Sequence, residues 1–149
     1  MGKEIERKFL VREQPDFSGF KGISVIQAYL LSEPGRTVRI RIAGKRGFIA
    51  VKSDSEKGSF GRYEWEYDIP VRDAYEIMEL CIPGKIEKTR FFIPYKKHTW
   101  EVDVFHGGNN GLIVAEIELE SESETFEKPA WIGEEVTGNP DYFNSNLIK

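Results

Sequence analysis

Carboxylates and cations recur along this chain at two-residue spacing. Glu4, Glu6 and Lys8 stand in "EIERKF", Arg39 and Arg41 in "TVRIRI", and Lys52 in "AVKS". Further on come Arg62, Glu64, Glu66 and Asp68 in "RYEWEYDI", and Lys88 and Arg90 in "EKTRFFI". Glu101 and Asp103 follow in "WEVDVF", then Glu116, Glu118 and Glu120 in "VAEIELE". The signs are segregated, acids beside acids and bases beside bases. Clustered carboxylate oxygens suit a hard divalent cation, Mg2+ or Mn2+. Arg offers a planar fork to phosphate oxygens and Lys a point charge, so the bases suit a polyphosphate.

Residues this far apart in sequence act together only if the backbone aims them at one place. On a β-strand every second side chain points the same way. The alternation predicts strands over roughly 3–11, 24–32, 37–43, 47–53, 62–70, 86–94, 99–105 and 112–121. "EPG", "AGKRG", "SDSEKGSFG", "KK" and "HGGNNG" supply the turns between them. "VRDAYEIMEL" (71–80) carries apolar residues at helical spacing after a proline and reads as the main helix. Shorter helices are expected over "SETFEKP" and "NPDYFNSNLIK". The fold class that follows is mainly β (α+β), a single domain over 1–149. Eight antiparallel strands with a few flanking helices suggest a sandwich or a closed barrel, and closure removes exposed edges.

Two orientations of such strands are open. The charged faces could meet water while the apolar faces make a core. Alternatively, the charges turn inward. Like charges at i and i+2 lie about 6–7 Å apart and repel by about 3 kcal/mol at an effective dielectric near 20. In water and salt that cost is small; inside a barrel it needs facing cations or a bound metal. The inward arrangement then requires cover for the outer apolar faces, from helix 71–80, the C-terminal segments or a second subunit. The row Tyr63, Trp65 and Tyr67 is a candidate for that surface. Pattern alone leaves the two orientations even.

Bulk properties narrow the field. A formal charge of −4 argues against general nucleic-acid binding. Cys81 is the sole cysteine, which excludes an internal disulfide and a cysteine-rich zinc site. The two histidines, His98 and His106, have no metal-ligand spacing. No apolar run is long enough for a membrane span, and the charged start lacks a secretory leader, so a cytoplasmic setting is expected.

The motifs also carry a resemblance. "EIERKF" resembles the ExExK signature of the CYTH, or triphosphate tunnel metalloenzyme, superfamily. "QAYL", "TVRIRI", "AVKS", "RYEWEY", "EKTR", "WEVDVF" and "AEIELE" resemble its later strand motifs in order, across almost the whole chain. The ending "WIGEEVTGNPDYFNSNLI" is similar to the tail of compact bacterial members.

The resemblance implies an eight-stranded antiparallel tunnel with an inward charged wall, often in a homodimer. It also implies a triphosphate substrate and one or two divalent metal ions. Glu4 and Glu6, facing Glu116 and Glu118, would be metal carboxylates. Lys8, Arg39, Arg41, Lys52, Lys88 and Arg90 would hold phosphate oxygens, with Arg62 as a further candidate. Glu64, Glu66, Glu101 and Asp103 would orient those bases or hold a second metal. Glu116 or Glu118 would activate water, and Lys8 beside Tyr29 would form a proton-donating pair, although Tyr29 equally reads as a plain strand aromatic. Family members act on inorganic triphosphate, thiamine triphosphate, nucleoside triphosphates or RNA 5′ ends, and some are adenylate cyclases. The short chain, with no insertion to recognise a base, favours inorganic triphosphate. Cyclase is the alternative within the family. A non-catalytic polyphosphate or nucleotide binder and a structural barrel with an apolar lumen are alternatives of other classes.

Overall fold

Alternating side chains organise the chain almost from end to end. The computed structural model describes residues 2–54 and 61–148. Its strands are β1 (Gly2–Val11), β2 (Ile23–Glu33), β3 (Arg36–Ala43), β4 (Arg46–Asp54), β5 (Gly61–Ile69), β6 (Ile86–Tyr95), β7 (His98–Phe105), β8 (Ile113–Leu119) and β9 (Ile132–Glu135). All pairings are antiparallel and run β5-β4-β3-β2-β6-β7-β8-β1, with β1 also pairing back to β5. Eight strands thereby close into a barrel, and β9 adds to β1 outside that ring. The eight expected strands are all present, each within a few residues of its expected bounds. The turn expected over "SDSEKGSFG" has its centre, 55–60, outside the described residues.

Three expectations are corrected. The short strand β9 stands where no element was expected. "SETFEKP" is an extended loop, because its polar residues offer no apolar stripe to bury. "NPDYFNSNLIK" is two 3-10 turns, Pro140–Tyr142 and Asn144–Asn146. Asn139 caps the first, its side chain accepting from the Asp141 amide. The main helix, α1 (Val71–Met78), forms as expected and buries Ala74 against β3 and β4. Gly47 of β4 permits that approach, since a Cβ there would meet the Ala74 Cβ and the Ile69 carbonyl oxygen, each at 3.0 Å.

The register decides the orientation. Glu6 lies opposite Glu118 and Lys8 opposite Glu116, while Arg90 faces Asp103 and Lys52 faces Glu64. These charged rows line the barrel interior, and the apolar rows point outward. The outward residues are covered in two places. Phe9, Trp100, Val102, Ala115 and Ile117 pack beneath Phe126, Trp131 and Ile132. Ile40 and Ile42 pack beneath α1. Arg7, a charge on the outer side of β1, is held by Glu135 at 2.6 Å through two hydrogen bonds and stacks on Phe126. One end of the barrel is apolar inside: Tyr29, Ile86, Phe105 and Val114 pack with Leu10, Leu112 and the tail residues Leu147 and Ile148. Among the described residues no helix is long and apolar enough to cross a membrane.

Candidate active site

Above that apolar floor the interior becomes polar layer by layer. Lys8, Gln27, Lys88 and Asp103 are buried first. Lys88 Nζ donates to Asp103 at 2.7 Å, and Arg90 grips both oxygens of the same carboxylate at 2.7 and 2.9 Å. Gln27 accepts from Arg41 Nε at 3.0 Å and donates to the Tyr29 hydroxyl at 3.4 Å. Lys8 donates to the carbonyl oxygen of Tyr142 at 2.9 Å and lies 3.9 Å from Glu116.

The next layers surround a cavity of about 160 Å³. Its lining holds seven carboxylates (Glu4, Glu6, Glu64, Glu66, Glu101, Glu116 and Glu118), the cations Arg39, Arg41, Lys52 and Arg90, and Asn144. Among the described residues no apolar side chain contributes. Lys52 bridges Glu4 at 3.2 Å and Glu64 at 3.1 Å, Arg39 pairs with Glu66 at 3.1 Å, and Arg90 reaches Glu101 at 3.3 Å. Arg62 approaches Glu6 at 3.4 Å and Glu4 at 3.7 Å from the side.

Crowding shifts these groups. Burial, with Glu116 and Glu4 close by, raises the Glu6 carboxyl to about 8. Against the upward push of burial, Lys8 and Arg90 hold Glu116 well below the usual carboxylate range. Glu6 and Glu116 thus divide the work, one carrying a proton and the other a charge. Glu118 is raised by burial and by Glu4 and Glu64, which suits a carboxylate meant to take a proton. Burial lowers Arg41 to about 10 and Lys88 to about 7. Asp103 is held at about 2 by Lys88 and Arg90 despite its burial.

The fit to a divalent cation rests on the donors themselves. They are carboxylate oxygens, and their mutual repulsion is relieved at Glu6 by a proton, the place a cation would take. Among the described residues no three of them already converge at coordinating distance; most are instead paired with a Lys or Arg.

Most of the expected residues meet here, but some placements differ from expectation. Lys88 and Asp103 are not among the cavity-lining residues; they lock Arg90 from below, the base-orienting role expected of Asp103, whereas Lys88 was expected to hold phosphate oxygens. Lys8 and Tyr29 do not form the expected pair, since Lys8 bonds to Tyr142 and Tyr29 to Gln27. Asp68 pairs with Arg46 at the exposed barrel end, and Glu120 is exposed. His98 and His106 bond to Glu124 and Thr89, away from the cavity. Sequence reasoning missed Gln27, which period two in "QAYL" could have revealed beside Tyr29. It also missed Asn144, for which the irregular tail gives no signal.

Comparison with known proteins agrees with this geometry. The CYTH domain model matches residues 2–145. An inorganic triphosphatase of Acetivibrio thermocellus is 47% identical over 150 residues, covering 100% of this chain and 95% of that protein. An inorganic triphosphatase of Nitrosomonas europaea is 35% identical over 149 residues, covering 97% and 95%. The crystal structure of an inorganic triphosphatase superposes with a TM-score of 0.69 at 32% identity, covering 97% of this chain and 96% of that one. A charged barrel interior, an ordered set of strand motifs and full-length relatives lead to one assignment: the chain belongs to the CYTH domain family.

Proposed function

We propose that the protein hydrolyses inorganic triphosphate to diphosphate and phosphate inside its charged barrel, with a divalent cation, Mg2+ or Mn2+. The observation that carries this reading is the cavity lining, in which carboxylates and phosphate-binding cations meet with no apolar side chain among the described residues. A pure anion binder gains nothing from seven carboxylates, and a carrier of apolar ligands gains nothing from either set.

Arg39, Arg41, Lys52 and Arg90 would hold the phosphate chain, with Arg62 at its flank and Lys8 near the floor. Glu4, Glu6, Glu64, Glu66, Glu116 and Glu118 would hold the cation, which when bound supplies charge neutralisation on the transferred phosphoryl group. Glu118 takes the proton of the attacking water, whose oxygen bonds to a terminal phosphorus as the anhydride bond breaks. The cations stabilise the charge that gathers on the leaving diphosphate. Lys88 and Asp103 position Arg90, and Gln27 positions Arg41 and Tyr29. The Tyr29 hydroxyl, on the wall beside Arg39, is a candidate proton donor to the leaving group.

A cytoplasmic setting and a homodimer complete the proposal. The lone Cys81 is unpaired, and Val51 and Tyr67, on the outer face of β4 and β5 beside Trp65, are exposed apolar residues that a second copy would cover.

The test is a phosphate-release panel with inorganic triphosphate, diphosphate, ATP and thiamine triphosphate, each with Mg2+ and Mn2+. Inorganic triphosphate is expected to be cleaved fastest. Release from ATP alone, or cyclic AMP as the product, would overturn the reading.

A further inference from the structure

On the outer face of the barrel, behind Lys8, a second polar network joins β1 to the segment that leaves β9. Arg7 Nε and Nη2 each donate to one oxygen of Glu135 at 2.6 Å, and both side chains are half-buried. That two-pronged grip holds the Glu135 carboxyl below its usual range, so it stays a charged acceptor. Glu135 Oε2 accepts from the Thr137 hydroxyl at 2.7 Å, and the hydroxyl oxygen accepts from the backbone N–H of Lys8 at 2.8 Å. The Val136 amide donates to the Lys8 carbonyl oxygen at 2.8 Å. Gly138, at a positive φ of 77°, then turns the chain, and the Tyr142 carbonyl accepts from Lys8 Nζ at 2.9 Å. One segment, 135–142, thus holds Lys8 by its amide, its carbonyl and its ammonium.

The strand pairing shows why Lys8 needs such a hold. The β1–β9 ladder changes register between Phe9, opposite Glu135, and Val11, opposite Ile132. Beyond that shift the Lys8 amide meets the Thr137 side chain, where a ladder would present a backbone carbonyl. A hydroxyl rotates to suit its partners, and Glu135, clamped by Arg7, fixes its direction. Inside the barrel the Lys8 ammonium lies 3.9 Å from Glu116 of the cavity lining, so a shift of Lys8 is felt at the cavity. We infer that Arg7, Glu135 and Thr137 are positioning residues for Lys8: an ion pair on the outer face of the barrel sets where an ammonium inside it meets phosphate. The inference rests on the triphosphatase reading, in which Lys8 holds phosphate oxygens, and goes beyond it by giving a task to three residues outside the cavity lining. An anchor for β9 alone requires no hydroxyl directed at Lys8, since the Arg7–Glu135 pair already joins the two strands.

The test uses the full-length protein and two measurements. Calorimetric titration of inorganic triphosphate in a metal chelator gives affinity without metal-dependent turnover, and phosphate release with Mg2+ or Mn2+ reads the reaction. Thr137→Val keeps the side-chain shape and removes the hydroxyl. It is expected to weaken triphosphate binding roughly tenfold, the size of one charge-assisted hydrogen bond. Arg7→Met, at the far end of the network, weakens it in the same direction, and Thr137→Ser restores the wild-type value. In a Lys8→Met background neither Thr137→Val nor Arg7→Met has a further effect, because the residue they act through is gone. Unliganded melting temperatures verify which variants fold, and Arg7→Met carries the comparison if Thr137→Val does not. A purely structural network would lower the melting temperature of both variants and leave the affinity of the folded protein at the wild-type value, which would overturn the inference. So would a loss of affinity that persists in full in the Lys8→Met background. A wild type that shows this coupling yet releases no phosphate with either metal keeps the positioning role and removes the triphosphatase reading. A wild type that binds no triphosphate sinks both.

Discussion

At the scale of single residues, Glu6 sets the terms for the cation. Its carboxyl is raised to about 8 by burial and by Glu116 and Glu4. The folded protein therefore holds a proton there that the unfolded chain releases above its ordinary value of 4.5. Folded-state binding of that proton means Glu6 contributes stability below about 4.5 and loses it as pH rises towards 8. A cation must displace the same proton, so apparent Mn2+ affinity should climb with pH and level off near 8. Titration calorimetry from pH 6 to 9 measures it, and Glu6→Gln should abolish the pH dependence together with metal-dependent hydrolysis. Circular dichroism should show Glu6→Gln and Glu116→Gln folded; full activity in either would remove these residues from the site. Lys88 makes a different kind of prediction. With its side chain 0% exposed against Asp103, Lys88→Met leaves a buried carboxylate with Arg90 alone, a loss of about 3–5 kcal/mol. Urea unfolding reads that loss, and KM should rise as Arg90 loosens. The charged ligands of the cavity were legible in the sequence because period two exposes them strand by strand. Lys88 and Asp103 share that period, so only depth along the barrel axis, which pattern does not encode, separates them from the residues that line the cavity.

At the scale of elements, strands were easy to read and connections were not. Long alternating runs such as "RYEWEYDI" admit one backbone conformation, since only a strand puts all their apolar residues on one side. The four-residue β9 is too short to display a period. What holds it is Glu135 on Arg7, a pairing 128 residues apart that no local window contains. The tail fails as a helix because Pro140 and several Asn and Ser residues favour local turns over a continuous ladder. The seating of α1 yields a prediction at this scale. Gly47 leaves room for Ala74, and a methyl group at 47 would strike it and the Ile69 carbonyl at 3.0 Å. Gly47→Ala is expected to cost about 1–3 kcal/mol through overpacking, read as a lower urea midpoint with an unchanged m-value. Unchanged stability would mean that α1 does not pack on β4 as closely as described.

At the scale of the molecule, the charge distribution explains why the barrel turns its charged face inward. The formal charge is −4, and the cavity lining alone has an excess of three acids. Hydrophobic burial is displaced to the outside of the barrel, where β9, the 120s loop and α1 cover it. Above its apolar floor the interior is instead held by ion pairs, whose desolvation makes them poor stabilisers on balance. A fold organised in this way is completed by its ligands, and ligand linkage should be large. Inorganic triphosphate with Mn2+ at a hundredfold excess over the dissociation constant adds about 2.7 kcal/mol, which for a chain of this size raises the melting temperature by about 5–10 °C. Mn2+ alone should give a smaller rise, since it neutralises the carboxylates and leaves Arg39, Arg41 and Arg90 facing one another. Scanning calorimetry with neither ligand, each singly and both together distinguishes a charged catalytic barrel from a structural one. A barrel that merely tolerates inward charge would melt at one temperature under all four conditions.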